Sequence, residues 1–322
     1  MPLFLGHSTA EFILDRPHAG RLVPALDQSL EHCWASRRDI SQADLGMIAD
    51  VPLPLDVLVS SNEDRRRWEG IRCHVCPPDL PATAFLEVAP DIFVSSPALC
   101  LIQRAQQLSL AQTIALGSRF CGTYALDRQR PTGIRERLPI ASIEDLRTFI
   151  DRCPPTKGLK RARRASSLIL QNSASPMETV TALVLCLPHR LGGLGLPLPQ
   201  LNYEVTLHAD ARKLTAKRFI RIDLYWRDCL FGIEYQGLYA HDSAGGIAAD
   251  IARQLAAEAM GIELCMVTIE QIREREQRLA VARKVATRLG VPFAPRDDLL
   301  IANQRLVDDL LTRAVAHNSR EL

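Results

Sequence analysis

Aromatic residues make up only 5% of this chain of 322. That scarcity excludes the aromatic-rich sheets on which RNA-binding modules stack bases. An excess of charge of one sign is also missing, with 39 Lys and Arg against 37 Asp and Glu and a net charge of +2. Bulk electrostatics does not draw such a chain to nucleic acid, so any affinity must come from a local cluster. No apolar run approaches the roughly 18 residues of a membrane span, and no membrane partner is expected. The opening MPLFLGHSTAEF lacks the basic and apolar regions of a signal peptide, so the expected location is the cytoplasm. Nine cysteines, an odd number irregularly spaced from Cys33 to Cys265, read as reduced and mostly buried thiols. Cys73 and Cys76 form one CxxC with no second pair, half of what a structural zinc site needs. Repeats and low-complexity tracts are absent.

What is present is a globular composition, 47% apolar and 24% charged, long enough for two domains with separate cores. Residues 56–60 and 70–75 read as strands joined by a polar segment. Ser96-Pro97 starts a helix with Pro at its first position, and 110–120 reads as another. Ser142, three residues before Asp145, opens a further helix with a capping-box spacing. Lys157, Lys160, Arg161, Arg163 and Arg164 then fall within eight positions without an acid. They read as a solvated helix face or as a stripe that contacts nucleic-acid phosphates.

Ser175-Pro176-Met177-Glu178 again marks a helix start: a cap, Pro at the first position and Glu at the third. After a Gly- and Pro-rich loop at 192–199 the pattern changes. Residues 221–226 alternate with Ile222, Leu224 and Trp226 on one face and Asp223 and Tyr225 on the other, and 230–236 alternate again. A helix over 247–260 with Ile251, Leu255 and Met260 among its apolar positions stops at Gly261, and 262–267 reads as a third strand. Thr268 and Gln271 form a capping box ahead of a long charged helix to 289. A hairpin is antiparallel and the crossover through 247–260 is parallel, so the order predicts a mixed sheet in an α/β layer structure.

A two-residue turn at Arg227-Asp228 sets Asp223 opposite Gly232 and diagonal to Glu234, with Gln236 one pleat further on. Two carboxylates about 7–8 Å apart at Cα can reach one ion between them, and Gly232 leaves room for it. Paired oxygen ligands with space for water suit Mg2+ or Mn2+. Asp250 and Arg253, at i and i+3, form an ordinary helical ion pair.

Asp223, ten intervening residues and Glu234-Tyr235-Gln236, after a helix bearing Glu178, resemble the PD-(D/E)xK nuclease superfamily. Phe231–Gly237, His241, Asp250, Arg253 and the strand at 261–268 resemble, more narrowly, the endonuclease-domain family related to very-short-patch-repair endonucleases. This likeness covers about 173–290. The upstream half is similar to AbiEi-type proteins of type IV toxin–antitoxin systems, through Val57-Leu58-Val59, Arg65-Arg66-Arg67, Gly70–His74 and Val94–Pro97. The resemblance implies a C-terminal α/β/α restriction-endonuclease-like sandwich after a smaller α+β region and a helical connector. It implies Asp223, Glu234 and Glu178 as ligands of Mg2+ or Mn2+, Gln236 where the superfamily has lysine, and His241 as a general base. Glutamine can orient water but brings no charge. The expected function is metal-dependent hydrolysis of DNA phosphodiesters, in defence or repair. The alternative is a non-catalytic AbiEi-like antitoxin or regulator that binds DNA or a cognate toxin. The expected boundaries are an α+β region at 1–140, a basic connector at 141–172, a nuclease-like domain at 173–292 and a helical tail at 293–322.

Overall fold

A computed structural model describes residues 2–17, 22–25, 50–65, 68–215, 217–237 and 244–315. The chain is α/β with mixed sheets and divides into two compact units. The first comprises Met1–Cys121, Ala125–Asp127 and Arg137–Ile169, and the second comprises Gly122–Tyr124, Arg128–Glu136 and Leu170–Leu322.

The first unit is built on a six-stranded sheet. Its strands are β1 (Leu3–Leu5), β2 (Val23–Pro24), β3 (Leu55–Val59), β4 (Ile71–Val75), β5 (Phe85–Ala89) and β6 (Ile92–Ser95), in the order β2-β5-β6-β1-β3-β4. The two strands expected near 56–60 and 70–75 are β3 and β4, and they pair in parallel. Helices α1 (His7–Leu14), α2 (Pro97–Arg104), α3 (Leu110–Phe120), α4 (Ile143–Arg152) and α5 (Leu159–Ser166) complete the unit. Ser96 caps α2 by accepting the Leu99 N–H, and Ser142 with Asp145 closes a capping box on α4, as the sequence spacing predicts.

The connector expected at 141–172 is not a separate element. Leu146, Phe149 and Ile150 of α4 and Leu159 and Ala162 of α5 lie in the same core as Phe4, Leu5, Leu101 and Phe120. Burying the apolar stripe of a short basic helix stabilises it far more than its own propensity could. The division therefore falls near Ile169. The tail expected at 293–322 is not separate either, as far as its described residues reach.

Two short strands, β7 (Tyr124–Leu126) and β8 (Ile134–Glu136), precede the second unit's main body. That body has helix α6 (Pro176–Cys186), strand β9 (Gln200–Thr206), the single turn α7 (Ala209–Arg212), strands β10 (Phe219–Trp226) and β11 (Phe231–Tyr235), helix α8 (Ala244–Ala259) and strand β12 (Glu263–Val267). Helices α9 (Ile269–Arg273), α10 (Arg275–Leu289) and α11 (Asp297–Val315) follow. The sheet runs β12-β11-β10-β9, antiparallel except for β11 with β12, so the predicted mixed sheet is present with β9 added.

The long helix expected from 268 to 289 breaks at Glu274, whose ψ of 125° is extended. Arg278, 1% exposed, explains the break. Its Nη1 donates to the Ile272 and Arg273 carbonyls that end α9, its Nε to Asn303 Oδ1, and its Nη2 to Gln304 Oε1. Asn303 in turn donates to the carbonyls of Val184 and Gly192. One buried guanidinium and one amide thus tie α9, α11 and the end of α6 together, satisfying carbonyls that helix ends leave open.

Candidate functional site

The turn between β10 and β11 is longer than the two residues expected. Residues Arg227–Cys229 form one 3-10 turn and Leu230 takes a left-handed φ of 48°. Trp226 therefore pairs with Phe231, and Gly232 faces Tyr225, not Asp223. Gly232 leaves no room for an ion: a Cβ there would lie 2.5 Å from Ile222 Cγ2 and 3.0 Å from Leu264 Cδ2.

The strict alternation expected of β10 also breaks. Tyr225 is buried in one cluster with Ile220 and Ile222, so it does not share a polar face with Asp223. The break lies at Asp223. The ladder to β9 pairs Ile222 with Tyr203 and Leu224 with Leu201, and skips Asp223 and Asn202. Asn202 there has a left-handed φ of 49°. Such a local irregularity re-aims the side chains beside it. Asp223 Oδ2 accepts the Tyr235 N–H at 2.8 Å, across the strand pair.

Glu178 reaches the same place from α6. Ser175 Oγ accepts the Glu178 N–H, which is half of a capping box. The other half is absent, because Glu178 Oε2 accepts the Ala174 N–H at 2.7 Å and the Asn202 Nδ2 at 2.6 Å. The carboxyl is thus turned towards β9 and β10.

Glu234, the fourth of the five residues of β11, is 2% exposed, and Glu178 is 6% exposed. Burial first, and repulsion from Asp223 second, pushes Glu178 up to about 8. The same two causes, with Glu178 and Asp250 adding repulsion, push Glu234 up to about 8 against the attraction of Arg253. Asp223 is raised too, mainly by burial, and drawn back by the Tyr235 N–H and by Arg253. Three carboxyls from three elements therefore feel one another's charge in a site of low dielectric.

Arg253 of α8 supplies the positive charge. Its Nη2 donates to Glu234 Oε2, a partner on another element that helical spacing does not predict. Sequence spacing misses this contact because α8 and β11 meet only in the folded chain. The signal that could have found it is the need of several buried acids for a counter-ion. On the same helix the apolar Ile251 and Leu255 are 55% and 44% exposed, and Ala256 and Ala257 are buried.

Gln236 stands just past β11, half-buried, with its N–H on the Val267 carbonyl. His241 lies outside the described residues.

Of the basic stripe in the first unit, Arg161 Nη1 donates to the carbonyls of Ala105 and Leu108, both at 2.6 Å. Arg163 reaches the Ile150 carbonyl and Asp151. All five side chains of the stripe are exposed, but these two arginines also bond carbonyls of neighbouring segments.

The donor set suits a hard divalent cation in part. Glu234 Oε1 is buried without a hydrogen-bond partner, an acceptor that a cation would satisfy. Among the described residues no group of three or more His, Cys, Asp and Glu side chains is gathered closely enough to cage an ion. A magnesium ion does not require such a cage, since it binds through one or two carboxylates and keeps several waters. The Cys73–Cys76 pair meets no further ligand among the described residues, and burial pushes the Cys76 thiol up to about 12. The chain matches no family model, no curated protein and no solved structure.

Proposed function

We propose that the second unit is a Mg2+- or Mn2+-dependent site for hydrolysis of DNA phosphodiesters, in the manner of the PD-(D/E)xK nucleases that its motif resembles. The observation that supports this most is the mutual repulsion of Glu178, Asp223 and Glu234, each raised in pKa chiefly by burial, together with the unsatisfied Glu234 oxygen. Buried acids that repel one another destabilise a fold, so their presence together favours a functional role. Asp223 and Glu234 would hold the ion. When bound, it neutralises charge building on the phosphate and lowers the pKa of water.

The chain's own groups have separate tasks. Ala174 and Asn202 fix the Glu178 carboxyl beside Asp223, where it adds to the negative potential that attracts a cation. The Tyr235 N–H fixes one Asp223 oxygen. Gln236 can orient a water through its amide but cannot stabilise negative charge as lysine would. Turnover is therefore expected to be slow. The upstream unit, similar in sequence to AbiEi-type proteins, would contact DNA through Lys157, Lys160 and Arg164.

The test is nicking of plasmid and single-stranded DNA with Mg2+ or Mn2+. Asp223→Ala and Glu234→Ala should each abolish cleavage, and Gln236→Lys should preserve or raise it. Equal nicking by wild type and the double alanine variant would expose a contaminant. DNA binding without any heat of metal binding would favour the non-catalytic regulator instead.

A further inference from the structure

We infer that Arg253 is the resident counter-ion of the carboxylate cluster and competes with a divalent cation for Glu234, so that it sets the metal affinity of the site. The inference rests on the metal site proposed above and concerns its regulation.

The contact between Arg253 and Glu234 is half-made. A guanidinium and a carboxylate can pair through two parallel hydrogen bonds. Here Nη2 donates to Oε2, while Arg253 Nε and Glu234 Oε1 are both buried with no partner. One oxygen of the best-buried acid is therefore already available to a second cation. The two partners also differ in freedom. The Glu234 side chain is 2% exposed and fixed within a strand that has neighbours on both sides, whereas the Arg253 side chain is 29% exposed on a helix. Arginine, with its long flexible stem, can move into water at little cost, and the glutamate cannot.

Charge balance gives the contact its consequence. Glu178, Asp223 and Asp250 all act on Glu234 with negative sign, and Arg253 is the cation that opposes them. A divalent ion entering at Oε1 meets the positive charge of Arg253 at short range, which weakens its binding unless the guanidinium leaves Oε2. Without Arg253 the same acids would attract the ion more strongly. A residue with a purely structural role would have the opposite effect, since its loss would loosen the site and weaken binding.

The experiment is calorimetric titration of Mn2+ into the full chain, as wild type, Arg253→Gln and Arg253→Lys. Arg253→Gln should bind Mn2+ about tenfold more tightly or better, given how strongly unit charges interact at such separations in a partly buried site. Arg253→Lys keeps the charge and should stay within about threefold of wild type. Equal or weaker binding by a folded Arg253→Gln, with wild type binding, overturns the inference and leaves the metal site intact. No binding by any of the three overturns the metal site itself. If Arg253→Gln does not fold, the guanidinium 15N signals of Arg253 in the wild type provide the second readout. They should move during a Mg2+ titration with the midpoint of metal binding, and an unmoved signal overturns the inference.

Discussion

Replacing Glu178 with glutamine should make the metal-free protein more stable at neutral pH. Glu178 is pushed up from the usual 4.5 to about 8 by burial and by Asp223. Between those two values the native chain keeps a proton on this group that the unfolded chain has lost. Native-state proton binding exceeds that of the unfolded state, so stability falls as pH rises through the window. The slope is about 1.4 kcal/mol per pH unit for each fully shifted group, so Glu178 alone accounts for roughly 2 kcal/mol between pH 6.0 and 7.5. Glu178→Gln removes that slope. It keeps the fold, because Oε2 alone accepts both the Ala174 N–H and the Asn202 amide, and a single amide oxygen can do the same. The assay is urea unfolding in EDTA at several pH values. Wild type should lose stability from pH 6.0 to 7.5, and Glu178→Gln should lose clearly less, the remaining slope belonging to the other raised carboxyls, Glu234 and Asp223. A flat wild-type profile, or identical slopes for the two proteins, would refute the reasoning.

Arg278→Ala should leave the four acceptors on Ile272, Arg273, Asn303 and Gln304 unsatisfied and cost about 3 kcal/mol or more, read by urea unfolding; a loss below about 1 kcal/mol would contradict it. Burial disfavours ionisation of Asp56, but the His74 and Ser8 hydrogen bonds outweigh it and bring the carboxyl down to about 2. Its contribution is therefore present above the usual 3.8 and lost as pH falls towards 2, and Asp56→Asn should flatten the acid limb of the first unit's stability curve. Reversing the charge of Lys157, Lys160 and Arg164 should reduce the salt dependence of DNA binding by up to about 0.9 in log–log slope for each phosphate no longer neutralised. The same change at Arg161 and Arg163 should instead lower the first unit's stability, and an unchanged salt slope in the former variant would assign that face to solvent alone.

Local chemistry along the chain is enough to place many of its elements. The helix starts at Ser96-Pro97, Ser142, Ser175-Pro176 and Thr268 are each set by a side chain bonding within three residues, and all four form where the spacing predicts. The hairpin and the parallel crossover follow from alternation and the length of the intervening helix. Strand β9 carries a signal too, the alternation of Leu201, Tyr203 and Val205, which the adjoining Gly- and Pro-rich loop obscures.

The candidate site itself depends on groups that meet only in the folded chain. A left-handed Leu230 lengthens the turn and moves Gly232 from Asp223 to Tyr225. The break at Asp223 and Asn202 turns a polar face into a meeting point of three elements. Arg278 and Asn303, distant from Val184 and Gly192 in sequence, split one charged helix into two and fix them to α6. Arg253 finds Glu234 across nineteen positions of the chain. The common reason is desolvation: a buried charge or an open carbonyl must be satisfied by whatever group the fold brings near it, and spacing along the chain records only the neighbours within a turn or two.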